Sequence, residues 1–274
     1  MTYKTLLVHV DQSSHAAARI KIAAKIAIAE DAHLIGSAMT GVSRYLYQDG
    51  VVFIESVITS LRAQANLALD QFDAIARQMG VNSFERRLVD DDAGGGLSLQ
   101  ARYSDLVILS QTDPDERTDD LITDLPEYVM LNSARPVLAL PYAGNFDRLG
   151  SNVLIAWDGS MEATRAVTNA LPILKKAKNV TVALFNTSKQ FDVHGEQPGA
   201  DIGLYLARHG VKIDVEQRKT DLDIGNALLS LAADKGSDLL VMGGYGHTRF
   251  REILLGGVTL SILRTMTIPV LMSH

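Results

Sequence analysis

Residues 5–27, TLLVHVDQSSHAAARIKIAAKIA, and residues 152–174, NVLIAWDGSMEATRAVTNALPIL, follow one plan. Each has a short apolar run ending in Asp, then turn residues containing Ser, then an amphipathic stretch: strand, turn, helix. Later landmarks repeat in the same order. SDLVILS from Ser104 matches SDLLVMG from Ser237, and ARPVLALP matches TIPVLMSH. Asp105 to Asp238 and Pro136 to Pro269 are offsets of 133, whereas Asp11 to Asp158 is 147, so the second copy is shorter by 14 residues before its fourth strand.

Between these landmarks strands and helices alternate. Runs such as LLVHV, LVIL, VLIAW and LLVM are apolar nearly throughout, as strands buried on both faces of a parallel sheet must be. Strands are expected near residues 4–10, 33–40, 83–89, 105–110 and 136–141, then 152–157, 179–186, 211–217, 238–242 and 268–273. The fold class that follows is α/β: two tandem, doubly wound, five-stranded parallel sheets. The longest helix is expected over about residues 51–80, and the linker is placed at 142–151, YAGNFDRLGS, polar and glycine-bearing. The expected domains are residues 1–143 and 151–274.

The chain has 274 residues, enough for two domains with their own cores. Hydrophobic residues at 47% and charged residues at 21% exclude a disordered composition. A net charge of −6 argues against nucleic acid or an anionic membrane as partner, so an anion site has to be built locally. The absence of cysteine excludes disulfides, thiolate catalysis and Cys-type zinc sites. With a short apolar N-terminal run and no stretch long enough to span a bilayer, a cytoplasmic protein is expected.

Ligands of such sheets bind outside the carboxyl ends of the strands. After the fourth strand of the second half, Gly243, Gly244 and Gly246 are followed by nine residues, His247 to Leu255, and then by Gly256 and Gly257 opening a helical pattern. Glycines let backbone N–H groups approach a ligand closely, and a helix N-terminus adds unpaired donors. Arg249 and Arg251 are the local cations and His247 lies inside the loop. This is neither the P-loop, which needs Lys-Ser/Thr after its last glycine, nor the dinucleotide fingerprint, which follows strand one.

The pattern resembles the universal stress protein family, whose nucleotide-binding members carry Gly, two residues, Gly, nine residues, Gly, then Ser or Thr. Gly243, Gly246 and Gly256 match; Gly257 stands where the hydroxyl residue belongs. The Asp ending strand one and the Pro-Val-Leu of the last strand resemble the family in both halves. The resemblance implies a Rossmann-like adenine-nucleotide fold with its halves related by a pseudo-two-fold axis. It implies Asp158 beside adenine and ribose, the backbone near Phe185 flanking the base, Met242 and Gly243 continuing the pocket, and Gly246, Gly256, Gly257 and Val258 cradling phosphates. The ligand would be ATP or another adenine nucleotide, with or without Mg²⁺. The missing hydroxyl costs about 0.5–1.5 kcal/mol, and Thr259 offers another two positions on.

The role implied is regulation in a stress response through an unidentified protein partner, with at most slow ATP hydrolysis, since no paired nucleophile and base, Lys clamp or acidic pair for Mg²⁺ is evident. A scaffold that binds no nucleotide is the alternative, and an adenine-nucleotide hydrolase a third. Single-domain members of the family pair their last strands, so residues 136–141 and 268–273 are expected to pair antiparallel within the chain. A homodimer is left open.

In the first half the equivalent stretch, SQTDPDERTDDLITDLPEYVM, has no glycine and is rich in carboxylates, so a polyphosphate is not expected there. It is read as a solvated loop and helix start. DDDAGGG, residues 90–96, departs from the EF-hand spacing and is read as a flexible turn with aspartate capping. His9, His15 and His33 have no carboxylate at ligand spacing and are read as structural, and no metal site is expected.

Overall fold

A computed structural model describes residues 2–42, 55–116, 124–144, 146, 148–187, 197–245 and 257–274. The chain divides into two compact units, Thr2–Asn145 and Phe146–His274.

The first unit runs β1 (Thr5–His9), α1 (Ala16–Glu30), β2 (His33–Met39), α2 (Glu55–Met79), β3 (Phe84–Val89), α3 (Ala93–Ala101), β4 (Leu106–Ser110), α4 (Leu125–Ser133) and β5 (Val137–Leu140). Its strands lie in the order β3-β2-β1-β4-β5, all parallel, with Leu6 opposite both Leu34 and Leu106. The second unit runs β6 (Asn152–Ala156), α5 (Met161–Leu174), β7 (Asn179–Phe185), α6 (Ala200–Arg208), β8 (Asp214–Arg218), α7 (Ile224–Asp234), β9 (Leu239–Gly243), α8 (Val258–Thr265) and β10 (Val270–Ser273). Its order, β8-β7-β6-β9-β10, is the same winding, again parallel throughout.

The sheet centres are apolar because helices cover both faces: Leu6, Leu7 and Val8 of β1, Val107 and Ile108 of β4, and Leu240 and Val241 of β9 are fully buried. In α2 the buried residues Ala65, Ala68, Leu69, Phe72, Ile75 and Ala76 recur at helical spacing, one stripe facing the sheet. The repeated Asp landmarks do the same job in each unit. Asp105 accepts the N–H groups of Lys4 and Thr5, and Asp238 those of Ser151 and Asn152, fixing where the first strand of each unit begins.

Three expectations need correction. Strands β3 (FERRLV) and β8 (DVEQR) are polar, because each pairs on one side only among the described residues and meets water; β8 also starts at Asp214, not near 211. Gly243 is the last residue of β9, not a loop residue after it. DDDAGGG is no flexible turn: Asp92 caps α3, accepting the Gly95 N–H at 2.7 Å, and the three glycines form the first turns of that helix.

Candidate functional site

The second unit gathers its candidate residues at the carboxyl ends of three neighbouring strands, β9, β6 and β7. Asp158 follows β6 and is exposed; its Oδ1 accepts the Ser160 N–H at 3.0 Å. Gly159, at φ 76°, makes the turn that lets Ser160 cap α5, its Oγ accepting the Ala163 N–H at 3.1 Å. Asp158 is therefore a turn residue whose carboxylate still faces solvent. Phe185 ends β7, half-buried, opposite Arg218. The next residue, Asn186, clasps Thr220 through both side-chain amide atoms, closing the turn beside β8.

Met242 is buried in β9. Gly243 is there for packing: a Cβ on it would lie 2.5 Å from the Ala163 nitrogen and 2.8 Å from the Glu162 carbonyl carbon. The end of β9 thus presses against the first turn of α5. Glu162, in that turn, is buried, and its Oε2 has no hydrogen-bond partner among the described residues. Sequence reasoning passed over Glu162, which reads as one more acid favoured in a first helical turn.

Gly257 is the N-cap of α8 and supplies no side-chain cap, so the first-turn N–H groups of Val258 and its neighbours are not claimed by a capping hydroxyl. Thr259 is buried and its Oγ1 accepts the Tyr245 N–H at 3.2 Å, which ties the start of α8 to the chain leaving β9. That hydroxyl joins the two ends of the loop; the sequence suggested it as a phosphate donor. Gly246 and Gly256, with His247, Arg249 and Arg251, lie outside the described residues.

The same place in the first unit is built differently. Arg19 is buried at the carboxyl ends of β1 and β4. It donates from Nε to the His9 carbonyl at 2.8 Å, from Nη1 to Ser110 Oγ at 2.7 Å and from Nη2 to Asp11 Oδ1 at 2.7 Å. Burial raises the Asp11 carboxyl, but Arg19, then His9 and Ser13, outweigh it and hold it well below the usual carboxylate range. At the matching offset of 147 the second unit has Ala166, and among the described residues Asp158 has no such partner.

The histidines of the first unit are also better partnered than their sequence neighbours suggest. His15, just before α1, lies 2.8 Å from Asp113 and 3.9 Å from Glu116, both in the segment after β4, correcting the reading of His15 as without a carboxylate at ligand spacing. His9 is 3.3 Å from Asp11, and His33 3.8 Å from Glu85. The Asp113 carboxyl is held below its ordinary range by the Asp115 N–H first and by His15 next. Asp124 does start a helix, capping α4.

Residues 151–274 match the family model "Universal stress protein family". A universal stress protein of Synechocystis is 38% identical over 69 residues, covering 24% of this chain and 22% of the relative. One of Methanocaldococcus jannaschii is 41% identical over 44 residues, 16% of this chain and 27% of the relative. The chain thus spans about a quarter of the length of the curated relatives it matches. A crystal structure of a universal stress protein from Archaeoglobus fulgidus superposes with a TM-score of 0.73 at 15% identity, covering 97% of this chain and 94% of that one, so the fold is shared over both halves. No helix among the described residues is long and apolar enough to cross a membrane. The second half of the chain, residues 151–274, is thus similar to the universal stress protein family.

Proposed function

We propose that the second unit binds ATP or a related adenine nucleotide, with or without Mg²⁺, outside the carboxyl ends of β6, β7 and β9, and that this binding serves regulation more than turnover. The observation that carries the reading is the run from Gly243 at the end of β9 to Gly257 at the uncapped start of α8. It has the family's glycine spacing and lies within the part of the chain that matches the family model.

Each residue has a chemical part. The exposed Asp158 carboxylate accepts from ribose hydroxyls, and Phe185 and Met242 wall the base. Backbone N–H groups at Gly257 and Val258 meet phosphate with the positive end of the α8 dipole behind them. A catalytic residue is not assigned, and hydrolysis is expected to be slow.

The test is calorimetric titration of the whole chain with ATP, beside Gly246→Val and Gly256→Val. Binding by the parent and its loss in both folded variants is expected, because each side chain would stand in the phosphate path. Equal affinity in all three would overturn the assignment. Gly257, which departs from the family's hydroxyl residue, favours a second reading, a scaffold that binds no nucleotide; absence of heat and of co-purified nucleotide would select it.

A further inference from the structure

Where the second unit has its glycine run, the first presents three metal-type donors. His15 Nε2, Asp113 Oδ2 and Glu116 Oε1 come from the start of α1 and from the segment after β4, and ligand atoms of the three residues all lie within 4.8 Å of one another. We propose that His15, Asp113 and Glu116 form a binding site for a first-row divalent transition metal of the zinc type.

The spacing is close to what such an ion requires. With bonds of about 2.0–2.1 Å in a tetrahedral shell, neighbouring ligand atoms stand roughly 3.3 Å apart. The His15 nitrogen lies 2.8 Å from Asp113 and 3.9 Å from Glu116, on either side of that value, and no two ligand atoms of the set are more than 4.8 Å apart, so modest side-chain movement would draw the three donors around one ion. The donors are also held in place by outer contacts. The Asp115 N–H binds Asp113 Oδ1 at 2.9 Å and leaves Oδ2 toward His15. The Ser14 N–H holds Glu116 at 2.8 Å through Oε1 itself, which keeps a second lone pair, and the Tyr142 ring packs edge-on against the His15 ring at 6.2 Å.

Charge points the same way. Neutral imidazole with two carboxylates balances a divalent ion, and among the described residues no lysine or arginine pairs with Asp113 or Glu116. The nearby Arg19 is committed to Asp11. One nitrogen and two oxygens suit zinc and its first-row neighbours better than calcium or magnesium, which take oxygen sets. The three side chains are between 13% and 30% exposed, which leaves an open side for water to complete the shell. An ion there would clip the segment after β4 to the start of α1.

The experiment uses the whole, tag-free chain stripped with chelator and freed of nucleotide. Calorimetry with Zn²⁺ and visible absorption with Co²⁺ are compared for the parent, His15→Gln, Asp113→Asn, Glu116→Gln and, as a control, His33→Gln. One ion per chain is expected in the parent and the control, with affinity at least about tenfold weaker in each of the three site variants. Zn²⁺ should raise the melting temperature of the parent and not that of His15→Gln. The Co²⁺ spectrum of the parent tests the site without relying on any variant's fold: absence of d–d bands characteristic of nitrogen–oxygen ligation overturns the proposal. So does Zn²⁺ affinity unchanged across the three variants.

Discussion

His9 ties stability to pH through one imidazole. Burial pushes its pKa down to about 4; the Asp11 carboxylate pulls the other way and Arg19 adds to the fall. Below pH 6.5 the unfolded chain takes up a proton that the native His9 refuses, so stability falls as pH drops from 6.5 to about 4, by roughly 3 kcal/mol. Asp11, whose carboxyl is depressed, contributes stability that persists through this window and is lost only at more acid pH. Urea denaturation at pH 6.5 and 4.5 should show a smaller loss for His9→Gln than for the parent; equal losses would assign the effect elsewhere. Gly243 gives a second prediction at this scale. A methyl group 2.5 Å from the Ala163 nitrogen forces β9 and α5 apart, so Gly243→Ala should cost about 1–3 kcal/mol in the same assay.

Among the elements, α8 is held at both ends of its first turn by other segments. Thr259 binds the chain leaving β9, and Ser261 donates at 3.2 Å to Asp223, the cap of α7, which also accepts the Asn226 N–H at 3.0 Å. Asp223→Ala should therefore destabilise by about 1 kcal/mol through the lost cap and, on the proposed function, also weaken nucleotide binding, because the helix start proposed to meet phosphate loses an anchor. A binding constant unchanged in the presence of that destabilisation would detach α8 from the site. Gly257→Ser works in the opposite direction, adding a cap worth a few tenths of a kcal/mol and a hydroxyl for phosphate, and several-fold tighter ATP binding is expected by calorimetry.

The central strands were legible because burial on both faces leaves a continuous apolar run, and the glycine spacing was legible because it is local. The polar strands β3 and β8 show no such run, having one wet edge, so the strand expected near residues 211–217 begins three residues later, at Asp214. The His15 cluster was illegible for another reason. Its carboxylates are about a hundred residues away and meet it only once β1 and β4 are paired.

For the molecule as a whole, the two units share a winding and differ in what stands at the carboxyl ends of the same strands. In the first, Arg19 occupies the space beside Asp11, Ser110 replaces Gly243, and Asp113 and Glu116 lie in the segment after β4, in contact with His15. Each carboxylate near a phosphate costs on the order of 1 kcal/mol even in water, and the segment has no glycine with which to turn N–H groups inward. In the second, Ala166 stands where Arg19 stands in the first, no arginine among the described residues pairs with Asp158, and α8 starts without a capping side chain. If the second unit binds an adenine nucleotide as proposed, this asymmetry predicts one nucleotide per chain. Calorimetry on the intact chain should give a stoichiometry near one. Gly246→Val should remove all of the heat; a residual site would mean that the first unit binds too. Arg19→Ala should not add a second site, since it clears the space beside Asp11 without supplying donors for phosphate. A stoichiometry near two in the parent would show that the plugged site opens to ligand.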